Sequence, residues 1–151
     1  MKYVQFLRFF NILIFFNAGI LFAVNAIAQS NNQFTINDMH RVLANAARET
    51  NKQLANTKVD DYTRLKFMTY DSKVPVMTYH YVSTVFQATG MKSINQAGRQ
   101  AMIDYHRVKT CATQFVPFMH GFGLKVAHRF EDAATGLEMI TVTIQGSDCP
   151  R

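Results

Sequence analysis

The sequence predicts an α+β domain: an antiparallel sheet of four strands in two hairpins, two main helices packed on one of its faces, and one disulfide. Three observations lead there. Two segments carry apolar residues at helical spacing. Four segments read as strands, and they come in adjacent pairs rather than singly between helices, which argues for hairpins and an antiparallel sheet. Cys111 and Cys149 are the two cysteines of the chain.

The N-terminus is set apart from that domain. Lys2 and Arg8 flank an apolar run from Phe9 through Phe22 that closes on Ala26-Ile27-Ala28. This is the small-x-small pattern that a signal peptidase accepts, so residues 1–28 are expected to be a cleaved signal peptide. Phe9 to Ala28 is also long enough for an uncleaved membrane anchor. Asn11, Asn17 and Asn25 interrupt the run and favour cleavage. Residues 29–34, with Ser30-Asn31-Asn32, read as a flexible polar leader, and residues 35–151 as a single domain.

The first helix follows. Thr35 is placed to cap it and Asp38 lies where a carboxylate meets the positive helix end. Ile36, Met39, Val42, Leu43, Ala46 and Ala47 form its apolar stripe. Asn56 to Asp61 reads as a connection. Thr63 to Tyr70 alternates, with Leu65, Phe67 and Thr69 on one face and Lys66, Met68 and Tyr70 on the other. After a turn at Asp71-Ser72-Lys73, Val76 to Gln87 is the second strand, ended by Gly90.

A second helix is expected from Ser93 to Ala112, capped by Ser93, with Ile94, Ala97, Ala101, Met102, Tyr105 and Val108 inward. Phe115, Phe118 and Phe122 surround Pro117, Gly121 and Gly123, which suggests a packed turn. Leu124 to Glu131 then alternates, with Leu124, Val126, His128 and Phe130 on one face. A turn at Asp132–Gly136 leads to the last strand, Leu137 to Gln145.

An exported chain meets an oxidising compartment, where two cysteines without a third suggest a Cys111–Cys149 disulfide. On the chain-entropy account, closing that loop stabilises the fold by about 4 kcal/mol. Loss of the signal peptide takes two of the 16 Lys and Arg and none of the ten acids, so net charge falls from +6 to +4. The surplus is scattered rather than clustered. It suits loose contact with an acidic partner or with lipid head groups, including a peripheral contact with the outer membrane, and argues against nucleic acid.

The chemical motifs are sparse. His40, His80, His106, His120 and His128 show no spacing of paired ligands, so no metal is expected. His128 alternates with apolar residues, as a core histidine does. Asp60-Asp61 would point to opposite faces of a strand and reads as a turn cap rather than an acid/base pair. His106 and Cys111 lie on different helical faces, which disfavours a cysteine nucleophile, and no phosphate loop or other cofactor signature is present. Aromatics exceed what the core requires. Tyr79, Tyr81 and Phe122 are candidate partner-binding residues, and an exposed sheet edge near Met77 to Val85 could accept a partner's strand.

A helix ending in Cys111, a short linker, Gly121 and Gly123, then the hairpin Leu124–Glu131 and Leu137–Gln145 closing on Cys149, resembles the AspS-type pilotins of type II secretion systems. The resemblance spans about Tyr79 to Cys149. It implies that the two cysteines are bonded and that the domain docks or chaperones an outer-membrane secretin subunit. Pilotins are typically lipoproteins, and here no cysteine follows the leader, so a soluble or complex-embedded relative is implied. The expected function is thus a periplasmic or outer-membrane-associated protein-binding module, not an enzyme, whose partners are other envelope proteins of a secretion apparatus. The alternative is a small exported enzyme or ligand-binding domain with a pocket between sheet and helices.

Overall fold

The computed structural model of the protein describes residues 34–150. The expected signal peptide, and the leader up to residue 33, lie outside the described residues. Phe34, assigned to the leader, belongs to the domain: its ring packs 5.7 Å from both Phe118 and Phe122.

The elements run α1 (Ile36–Leu54), β1 (Thr57–Lys58), β2 (Thr63–Asp71), β3 (Val76–Ser83), α2 (Val85–Thr89), α3 (Gln96–Cys111), α4 (Val116–Phe122), β4 (Lys125–Asp132), β5 (Glu138–Ile144) and a 3₁₀ turn, Gly146–Asp148. The start of α1 is a capping box, with Thr35 Oγ1 accepting from Asp38 N at 3.2 Å and Asp38 Oδ2 accepting from Thr35 N at 3.1 Å. Met39, Leu43 and Ala47 form its buried stripe.

The sheet has five strands in the order β1-β2-β3-β4-β5, and it is mixed where four antiparallel strands were expected. The two hairpins are antiparallel, but β3 and β4 pair in parallel, Val76 opposite Lys125 through Ser83 opposite Asp132. The helices between them return the chain to the end from which β3 started, which is the geometry of a crossover connection. The fifth strand is β1, within the segment read as a connection. It follows Asn56, whose φ of 63° is tolerated by asparagine.

Several boundaries move for physical reasons. Lys66 is bulged out between Leu65↔Tyr81 and Phe67↔His80. The faces of β2 therefore switch, so that Leu65 and Met68 are buried together while Phe67 and Thr69 turn to the outer face. β3 stops at Ser83, whose Oγ accepts from Val85 N at 3.3 Å, and the chain enters α2 instead of continuing as strand. Gly90 ends that helix with φ 71°. α3 begins after Asn95 rather than Ser93, because Asn95 Oδ1 accepts from Gly98 N at 2.8 Å. The expected packed turn contains α4, with Pro117 in its first turn.

All the expected helices lie on one sheet face. α1 packs on β2 and α3 on β5. Between them the core gathers Leu65, Met68, Met77, Tyr81, Val126, Phe130, Ile140, Val142 and Ile144. Cys111 at the end of α3 is bonded to Cys149, Cα–Cα 5.2 Å, tying that helix to the chain that leaves β5.

Candidate functional site

α3 turns inward a face on which Met102 packs against the core and the fully buried residues are polar. Val108 is 65% exposed, contrary to expectation, and the buried positions are His106 and Thr110. They meet Tyr79, Tyr81, His128 and Phe130, which lie side by side on β3 and β4 because Tyr79 is opposite His128 and Tyr81 opposite Phe130. Thr110 Oγ1 lies 3.1 Å from His128 Nε2, and Tyr81 Oη 3.3 Å from Nδ1. The His106 ring sits 4.1 Å from that of His128, and Tyr81 stacks 4.7 Å from Phe130.

Burial holds both imidazoles in their neutral form. It lowers the His106 pKa to about 4, and that of His128 well below the ordinary value, with His106 adding to the effect. Burial likewise raises the pKa of Tyr79 and Tyr81. A hydroxyl on an imidazole is the beginning of a nucleophile–base pair. Here Thr110 is buried and both histidines are 8% exposed, so the group packs the interior and offers no access to a substrate.

A second feature opens to solvent. Where β5 ends and β4 begins, a groove of about 450 Å³ is lined by Met119, His120, Lys125, Gln145, Gly146 and Ser147. It lies against the disulfide, since Cys149 contributes to its wall. Gly146 is required there: a Cβ on it would stand 2.8 Å from the Met119 carbonyl oxygen.

The outer sheet face carries a charged row. Glu131 takes Lys66 Nζ at 3.3 Å and Arg129 Nε at 3.6 Å, and Arg129 also reaches Glu138 at 3.2 Å. His80 stacks on Phe67, centroids 4.3 Å apart, and its Nε2 lies 3.0 Å from Thr69 Oγ1.

The sequence-derived candidates are dispersed. Tyr81 is 6% exposed and lies in the core, which removes it from any surface of this fold. Tyr79 is half-buried, stacked 5.2 Å from His128. Phe122 is half-buried against Phe34 and Phe118. The expected edge at Met77–Val85 is instead the middle strand of the sheet. Asp60 accepts from Tyr62 N at 2.7 Å as a turn cap, and Asp61 pairs with Lys58. Among the described residues no cluster of His, Cys, Asp and Glu has the makings of a metal site, and no helix is long and apolar enough to cross a membrane. Sequence reasoning missed the groove, for which the signal was a glycine between the last strand and Cys149. It also missed the inward turn of His106.

No family model and no curated protein matches the chain. Two solved structures share its fold. One is a protein of Pseudomonas aeruginosa described as secreted, at TM-score 0.62 and 11% identity, covering 80% of this chain and 100% of its own. The other is EpsS, the pilotin of the Vibrio vulnificus type 2 secretion system, at TM-score 0.58 and 14% identity, covering 76% of this chain and 94% of its own. At these identities the likeness is one of fold, and the pilotin-like resemblance read from the cysteine, glycine and hairpin spacing is present in the fold.

Proposed function

We infer that the protein is an envelope protein-binding module, an accessory of a secretion apparatus that docks a subunit of its outer-membrane complex. The observation that carries this reading is the fold shared, over most of both chains, with a type 2 secretion pilotin. The disposition of reactive groups supports it: the imidazole–hydroxyl cluster is sealed in the core, while the groove and the β5 edge are open. Export follows from the leader, with Gln29 as the first residue of the working protein, and the periplasm or the inner side of the outer membrane as its location. Phe122 and Tyr79 are retained as candidate aromatic contacts.

The test is affinity capture of the tagged protein from its own gently solubilised envelopes, with partners identified by mass spectrometry. Co-capture of an outer-membrane secretion subunit is the expected result. Recovery of this chain alone overturns the reading.

The groove favours a second reading, a small ligand-binding domain, because His120, Lys125 and Gln145 converge on it.

A further inference from the structure

The two edges of the sheet are finished differently. An open edge presents unpaired N–H and C=O groups that template another strand, and proteins usually blunt it. On the α1 side the edge is blunted twice: β1 is only two residues long, and beyond it Asn51 holds both backbone groups of Met68. On the other side β5 runs for seven residues, and among the described residues no strand lies beyond it.

The hydrogen bonds at the ends of β4 give the direction of the β5 backbone. Lys125 N donates to Pro75 O on the β3 side, and Asp132 N donates to Leu137 O on the β5 side, both at 2.9 Å. Backbone groups alternate sides along a strand, so Val126, His128 and Phe130 face β5, where they oppose Ile144, Val142 and Ile140. Thr141 and Thr143 therefore turn their N–H and C=O groups away from β4, and both residues are exposed.

Ile144 then leads directly into the groove, whose wall Gln145, Gly146 and Ser147 form. Its ionisable side chains are Lys125 and His120, and no carboxylate lines it. The Asp148 carboxylate, close by in the chain, accepts from Gln145 N at 2.9 Å.

We propose that β5 is a docking edge for an extended segment of a partner protein, which pairs with Thr141 and Thr143 and sets an acidic side chain beside Lys125 in the groove. This deepens the protein-binding reading and rests on it. The backbone ladder supplies attachment and the cationic groove supplies selection, the division of labour in strand addition.

The test uses the intact protein and a fluorescein-labelled probe peptide, Ser-Thr-Val-Thr-Val-Thr-Val-Thr-Asp-Asp, read by fluorescence polarisation. Exchange of Asp-Asp for Asn-Asn weakens binding several-fold, and Lys125→Gln erases that difference. A strand-adding peptide uses one of its edges, so N-methylation of alternate residues on one edge weakens binding about tenfold or more, while N-methylation on the other leaves it unchanged. Thr143→Pro gives a similar loss, because it removes an outward N–H that the β4–β5 ladder does not use. If that variant fails to fold, the N-methylated probes decide, since they leave the protein untouched. Absence of saturable binding, equal binding of the two N-methylated probes, or a folded Thr143→Pro that binds like the parent overturns the proposal. Envelope capture unaltered by Thr143→Pro would remove the docking edge and keep the function. A parent that binds the probe but captures no envelope protein would remove the function.

Discussion

Asn51 closes the sheet at Met68: its Oδ1 accepts from Met68 N at 2.6 Å and its Nδ2 donates to Met68 O at 2.8 Å. A side-chain amide on α1 thus takes the place of a neighbouring strand for one residue of β2, just past the bulge at Lys66.

Asn51→Ala should cost about 1–3 kcal/mol, because both backbone groups of a buried residue lose their partner. Asn51→Asp should recover only part, since a carboxylate accepts from Met68 N but cannot donate to Met68 O. Urea unfolding of the three proteins measures this. Equal stabilities would show that the edge does not depend on Asn51.

The Cys111–Cys149 bond closes the α3–β5 side of the domain. Cys149→Ser should lower the melting temperature sharply, in line with a loss of about 4 kcal/mol, and the double serine variant should cost little more than either single one. Thermal melts in the absence of reductant check it, and variants that melt like the parent would contradict a structural role.

Acid should destabilise the fold through the buried histidines. The folded pKa of His106 is about 4, below the 6.5 of a free histidine, so the unfolded chain binds the extra proton first. Stability is then full above about pH 6.5 and falls as pH drops toward 4. For His106 the whole window is worth about 3 kcal/mol. His128 acts in the same direction. His106→Phe should flatten the fall in melting temperature between pH 7.5 and pH 5, and an unchanged slope would rule out His106 as a source.

Those histidines also mark where the sequence was legible and where it was not. The Thr35–Asp38 cap was readable because it is local, and so were the β4 alternation of Val126, His128 and Phe130 and the paired cysteines. Ile94 and Met102 pack against the core as expected, but the burial of His106 and Thr110 on α3 was not legible, because Thr110 becomes a core residue by meeting His128 across the fold, a partner that an apolar/polar pattern does not encode. The parallel pairing of β3 with β4 depends on where the crossover helices return the chain. The bulge at Lys66 moves Met68 inward without any signature in composition. Of the candidate contacts, Tyr81 was chosen for its place on a strand, yet it packs against Phe130 and His128.

The N-terminus gives an independent check on export. Protein recovered from envelopes should have the intact mass of a chain beginning at Gln29. A mass that includes residues 1–28 would restore the membrane-anchor alternative.

The central claim is that activity resides in a surface and not in a reactive group. It is tested most directly by sizing the protein in gently solubilised envelopes, alongside single alanine variants at His80, Asp60 and Asp61. The account predicts that the parent migrates with a large envelope complex and that each variant keeps its share of that complex within a few-fold. Migration as a free monomer, together with loss of the cellular phenotype on changing a single one of those residues, would contradict it.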